Sequence, residues 1–162
     1  HQAACDYMME YLNRGRLLDE KFILILHAKL MNGIKHDAGR YREHGVRIVG
    51  SHVPTANPMK VPMLMKKLIK DTQAREKDLI SQVTRVHSQF EQIHPFSDGN
   101  GRIGRLLMQA MLLKRNMAPA MIMQEKRRAY IRHLNRSQLK GDCLPLEEFI
   151  CNAIFEGFRI LI

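Results

Sequence analysis

The run His94-Pro-Phe-Ser-Asp-Gly-Asn-Gly-Arg-Ile-Gly-Arg105 leads straight into Leu106-Leu-Met-Gln-Ala-Met-Leu-Leu113. The second part is apolar nearly all round, and a helix without a polar face belongs at the centre of a bundle. Upstream, Leu79, Val83, Val86, Phe90 and Ile93 step by four, three, four and three residues, one apolar stripe on another helix. Further out, Asp19 can cap a helix to about Met31, with Phe22, Ile23, Leu26 and Leu30 on one face and Gly33 near its end. Pro62 suits the first turn of a helix holding Leu64, Leu68 and Ile69. Residues 125–139, and those from Pro145 onward, complete the set. The expected fold class is all-α, one domain over residues 1–162, with no repeat or linker dividing it. Two places break the pattern. Residues 39–62 hold three glycines, three prolines and several β-branched residues, which predicts a short β-hairpin. Residues 95–101 read as a tight turn between two helices.

A chain of 162 residues, 45% apolar and 26% charged, has an ordinary globular composition and can bury a sizeable core. No run approaches the ~18 apolar residues of a membrane span, and no signal-peptide pattern is present. A membrane partner is therefore not expected. Cys5, Cys143 and Cys151 are odd in number and widely spread, so neither a disulfide framework nor structural zinc is favoured, and the cytoplasm is the expected compartment. The net charge is +10, but Lys and Arg are scattered; only Lys126-Arg-Arg128 and Lys66-Lys67 cluster. That is the pattern of a solvated basic face, and nucleic acid is not the favoured partner.

The loop itself has chemistry. A helix N-terminus presents unpaired N–H groups and the positive end of the macrodipole. Gly99-Asn-Gly101 leads into that end, and glycines let amides converge on one point, forming a nest suited to phosphate. Arg102 and Arg105, three residues apart, are expected on one helix face with planar forks for phosphate oxygens. Asp98 is placed to bind a hard cation bridging two phosphates. His94 supplies an imidazole that can take a proton from an attacking hydroxyl. Each feature alone has a plain structural explanation: a cap, a turn, a surface ion pair. Four within twelve residues indicate a phosphate site with a base beside it. Spacing does not separate nucleotide transfer from phosphate transfer.

The segment resembles the signature of the Fic family, H-x-F-x-D/E-G-N-G-R-x-x-R, at every fixed position: His94, Phe96, Asp98, Gly99, Asn100, Gly101, Arg102 and Arg105. Gly39-Arg-Tyr-Arg42, Val46-Arg-Ile-Val-Gly-Ser51 and Val61-Pro-Met-Leu-Met65 resemble the family's flap and the helix after it. Leu26-His-Ala-Lys-Leu-Met31 and Gly141-Asp-Cys-Leu-Pro-Leu146 also look like recurrent segments, so the resemblance covers nearly the whole chain. It implies a Fic-fold helical bundle with a β-hairpin flap, and a protein adenylyltransferase that moves AMP from ATP to a Ser, Thr or Tyr hydroxyl. His94 would be the general base. Asp98 would hold Mg²⁺ (or Mn²⁺). Gly99, Asn100 and Gly101 would cradle phosphates, Arg102 would grip the outgoing ones and Arg105 the γ-phosphate, while Phe96 would pack. Val46, Arg47, Ile48 and Val49 would align a target segment by strand addition. Tyr130 and Leu134 would line a nucleoside pocket. Doc-like relatives, which phosphorylate, lose the second glycine and second arginine of the run; both are present here as Gly101 and Arg105.

Many Fic proteins also carry an inhibitory helix, S/T-x-x-x-E-G/N, whose glutamate pairs with the second signature arginine, here Arg105. Thr72-Gln-Ala-Arg-Glu-Lys77 and Asn152-Ala-Ile-Phe-Glu-Gly157 each match in part, the second with Glu156 as inhibitory candidate. The opening His1-Gln-Ala-Ala-Cys-Asp-Tyr-Met8 resembles the helix that follows the motif in another class. The favoured expectation is a fragment lacking an upstream regulatory segment. Alternatives are transfer of UMP or phosphocholine, removal of AMP, or a non-catalytic nucleotide- or nucleic-acid-binding module. A target protein is the implied partner, and a homodimer is left open.

Overall fold

In the computed structural model, which describes residues 1–161, seven α-helices form the fold: α1 (Gln2–Asn13), α2 (Glu20–Met31), α3 (Val61–Gln73), α4 (Leu79–Ile93), α5 (Asn100–Lys114), α6 (Arg127–Lys140) and α7 (Leu144–Leu161). Short 3-10 turns precede α3 and α6. The starts follow local chemistry. The Asp19 carboxylate accepts the Phe22 N–H at 2.7 Å and Asp78 accepts that of Ser81 at 3.0 Å, each satisfying an orphan donor. Pro62 sits in the first turn of α3, where its missing N–H costs nothing.

Helix α4 packs against α3, α5, α6 and α7, and α5 packs on α4, α1 and α2. The stripe Val83, Val86, Phe90 and Ile93 is buried, as are Ile103, Leu106, Leu107, Met108, Ala110, Met111 and Leu112 of α5. The helix expected to be central is therefore buried over most of its length. The α4–α5 pair is the frame on which the intervening loop is fixed.

The expected β-hairpin is not formed: among the described residues there is no strand. The physical reason lies in side chains that take up the main-chain groups a hairpin would pair. Arg42, 2% exposed, donates from its guanidinium to the carbonyls of His94 (2.7 Å), His44 (2.7 Å), Ala56 (2.5 Å) and Ile93 (3.3 Å). Thr55 Oγ1 donates to the Val46 carbonyl at 2.7 Å, and Ser51 Oγ accepts the Val53 N–H at 3.2 Å. Pro54 and Pro58 have no N–H to offer a ladder. The segment is irregular and unladdered, with a turn closed by the Ser51 N–H on the Ile48 carbonyl at 3.2 Å, and Val49 is fully exposed. No helix among the described residues is long and apolar enough to cross a membrane.

Candidate active site

His94 closes α4 in the left-handed region, φ 52° and ψ 61°, a conformation uncommon for a residue with a side chain. Its N–H bonds the Phe90 carbonyl at 3.0 Å. Its Nδ1 lies 3.0 Å from the Glu91 carbonyl oxygen. A carbonyl only accepts, so Nδ1 carries the proton and Nε2 keeps its lone pair. Burial lowers the pKa of the ring, with Arg42 adding to the effect and the Glu91 carbonyl and Asp98 opposing it. The result is a part-buried imidazole of fixed tautomer, neutral at physiological pH.

The loop after His94 is clamped at three points. Phe96 is fully buried, its ring stacked on His27 with centroids 3.7 Å apart and planes 5° from parallel. Burying such a ring contributes roughly 1.5–3 kcal/mol. The Asn100 side chain accepts the Phe96 N–H at 2.9 Å and donates to its carbonyl at 2.8 Å, closing the turn on itself. His27 Nε2 donates to the Asp98 carbonyl at 3.1 Å while its Nδ1 accepts the Gly39 N–H at 2.9 Å. The turn is thus tied both to α2 and to the start of the irregular segment that follows it. Gly99 has φ +80°, and a Cβ there would stand 3.0 Å from Met31 Sδ, so both conformation and space demand glycine.

The structure distributes the expected phosphate-binding groups unevenly. The Gly99 N–H is already taken by Asp98 Oδ1 at 2.6 Å. The Asn100 amide is spent on Phe96, which makes that side chain a shaper of the turn. The first N–H groups of α5 have no partner within the helix, as at any helix start, and a helix start is where an anion is favoured. Arg102 and Arg105 diverge rather than share a face. Arg102 reaches Met31 Sδ at 3.3 Å, while Arg105 folds toward Gly101, Glu91 and Tyr130. Neither forms an ion pair among the described residues, which leaves two part-buried cations flanking the helix mouth.

Asp98 is exposed, with Oδ2 outside any hydrogen bond among the described residues. Those residues hold no cluster of three His, Cys, Asp or Glu able to cage a metal. A lone carboxylate suits Mg²⁺, which takes most of its ligands from water and substrate phosphates. Tyr130 and Leu134 are buried at 4% and 8% exposure, and the Tyr130 hydroxyl donates to His87 Nε2 at 2.6 Å. Val46, Arg47, Ile48 and Val49 lie in the irregular segment after Arg42, which Arg42 ties to the His94 carbonyl and which Ser51 joins to Asn135 of α6 at 3.0 Å. Glu156 pairs with Lys126 at 3.4 Å and Arg159 at 3.7 Å, on the far part of α7.

His27, Arg42, Glu91 and His87 are the functional neighbours that sequence reading assigned no role. His27 and Arg42 lie inside segments noted for their recurrence. Their partners, 71 and 52 residues away, carry no local signal.

The Fic/DOC family model matches residues 17–112. The chain is 29% identical over 156 residues to "Protein adenylyltransferase Fic" of Drosophila mojavensis, covering 91% of this chain and 30% of that protein. It thus spans about a third of the length of the curated relatives it matches. A Fic-domain-containing signaling protein from Bacteroides thetaiotaomicron superposes with a TM-score of 0.85 at 20% identity, over 97% of this chain and 67% of that one. A Fic family protein from Desulfovibrio desulfuricans gives 0.81 at 28% identity, over 98% and 51%.

Proposed function

The chain belongs to the Fic/DOC family, and from that premise we propose that it transfers AMP from ATP to a Ser, Thr or Tyr hydroxyl of a protein target. The observation that carries the reading is the fixed tautomer of His94, whose Nε2 keeps its lone pair at the start of the loop that leads into α5. In the reaction the target hydroxyl oxygen bonds to the α-phosphorus. Nε2 takes the hydroxyl proton, the bond from the α-phosphorus to its bridging oxygen breaks, and pyrophosphate leaves. Orphan N–H groups at the start of α5 stabilise charge developing on the α-phosphate. Arg102 steadies the departing phosphates, and Arg105 takes the terminal one. Asp98 would hold Mg²⁺, which would supply Lewis-acid neutralisation of the triphosphate's charge.

The segment holding Val46, Arg47, Ile48 and Val49 offers main chain to a target strand beside His94. The Arg42 guanidinium bonds the carbonyls of both Ala56 and His94, so docking and proton transfer share one anchor. The name of the Drosophila relative supports adenylyl transfer, as does the presence of both Gly101 and Arg105. A His94→Ala variant tests the reading. Transfer should drop by about 10²–10⁴-fold while ATP affinity stays near that of the parent. Transfer at the parental rate would remove His94 from the role of base.

A further inference from the structure

The peptide between Asp98 and Gly99 is held at both of its polar ends. His27 Nε2 stands 3.1 Å from the Asp98 carbonyl oxygen. The Gly99 N–H, on the opposite edge of the same trans peptide, donates to Asp98 Oδ1 at 2.6 Å. A carbonyl only accepts, so Nε2 donates, while Nδ1 accepts the Gly39 N–H at 2.9 Å; one neutral tautomer serves both contacts. The ring is 1% exposed and stacked on Phe96, and a Cβ built on Gly99 would stand 3.6 Å from Nε2. The donor from α2 is therefore fixed in place against the peptide. The freedom it opposes lies in Gly99, whose φ of +80° and ψ of 0° are those of the third residue of a type II turn. Flipping the preceding peptide converts such a turn to type I, and glycine accommodates both forms. A flip here would swing the Gly99 N–H away from Oδ1 and release the Asp98 carboxylate.

We propose that His27 is a positioning residue for the metal carboxylate: it latches the Asp98–Gly99 peptide in the orientation whose N–H holds Asp98 Oδ1 and leaves Oδ2 for Mg²⁺. This rests on the reading of Asp98 as the Mg²⁺ ligand. Asp98 is exposed, and no other hydrogen bond among the described residues fixes its carboxylate. The aim of that side chain is thus set by the peptide, and the orientation of the peptide by the imidazole. A partner that orients a metal ligand in this way carries roughly 10–100-fold in metal affinity. The requirement on His27 is a donor at the place of Nε2, and its bond with Gly39 keeps the proton on that nitrogen.

The test is the Kd for ATP, in excess Mg²⁺ and in EDTA, with the parent, Asp98→Ala, His27→Asn and His27→Gln. Asn keeps an acceptor near the place of Nδ1 but is too short to reach the Asp98 carbonyl, whereas Gln carries a donor near the place of Nε2. His27→Asn should bind Mg-ATP roughly tenfold more weakly with its Kd in EDTA unchanged, and His27→Gln should recover most of that loss. In the metal-free protein, exchange of the Gly99 amide proton should accelerate in His27→Asn and stay near the parental rate in His27→Gln. Parental Mg-ATP binding by His27→Asn overturns the proposal. So does equal weakening with and without Mg²⁺, which is what a ring that only fills space would give. A loss that Gln fails to recover, or unchanged Gly99 exchange in His27→Asn, overturns it as well. Should His27→Asn fail to fold, His27→Phe keeps a ring on Phe96, lacks the donor and carries the same expectations. If Asp98→Ala leaves the Mg²⁺ effect intact, the reading of Asp98 fails, and the inference with it. If Asp98→Ala abolishes that effect while His27→Asn does not reduce it, only the inference fails.

Discussion

At the scale of single residues, His94 concentrates the chemistry. Its left-handed backbone turns the ring back so that Nδ1 meets the Glu91 carbonyl, and that one contact decides which nitrogen can act as base. Burial lowers its pKa from the ordinary 6.5. In the proposed reaction the active form is the neutral ring, so a lowered pKa extends activity toward acid. At saturating ATP, the acid limb of the turnover rate should be centred below the ordinary 6.5, falling close to tenfold per unit once the ring is protonated. A pH–rate profile whose acid limb is centred above 7 would contradict this environment for the ring. The residues around His94 divide between binding and shaping. Asn100 keeps the turn closed on Phe96, and Gly99 takes a left-handed φ of +80° that side chains rarely adopt, close against Met31.

At the scale of elements, the decisive unit is the irregular segment held by Arg42. One buried guanidinium takes four carbonyls, two from the segment itself (His44, Ala56) and two from the end of α4 (Ile93, His94). Arg42→Ala removes all four donors at once and leaves buried acceptors unpaired, at a cost of about 2–4 kcal/mol. Amide hydrogen exchange should accelerate across residues 43–56 before it does in α4 and α5, with a lower Tm. Equal protection in that segment would show that Arg42 does not hold it.

The same segment marks the limit of what could be read from sequence. The helices were legible because stripes such as Val83, Val86, Phe90 and Ile93, and caps such as Asp19, are local signals. The hairpin expectation failed because Arg42 and Thr55 captured carbonyls that a ladder would have used, and side-chain competition of that kind has no periodicity. The loop from His94 to Arg105 was legible because its candidate groups are contiguous. The divergence of Arg102 and Arg105, and the commitment of the Asn100 amide to Phe96, follow from neighbours on α2 and within the turn. Residue spacing does not report them.

At the scale of the whole molecule, two buried titratable groups on α4 pull stability in opposite directions. Burial pushes Glu91 up from 4.5 to about 7, so the folded state holds its proton more tightly than the unfolded chain. The stability it confers is complete below about 4.5 and is lost as pH rises to 7. His87 is pushed down from 6.5 to about 4 by burial, with Nδ1 donating to the Gly104 carbonyl and Nε2 accepting from Tyr130. Its contribution is complete above 6.5 and is lost as pH falls toward 4. Between 4.5 and 6.5 the two slopes offset each other. Glu91→Gln should therefore melt above the parent at pH 8, by an amount on the order of 3 kcal/mol at most. The gap should close near pH 5, where the variant shows the acid slope of His87 uncompensated. A Tm difference independent of pH would mean that the Glu91 charge carries no such penalty.

In the proposed reaction the α-phosphate, not the γ-phosphate, is delivered to the hydroxyl facing His94. Mg²⁺ and ATP labelled at either the α- or the γ-phosphorus, incubated with the protein and a cell lysate, test it directly. Protein-bound label is expected from α-labelled ATP and none from γ-labelled ATP, on a target or on the chain itself. Label arriving from the γ-position alone would contradict it.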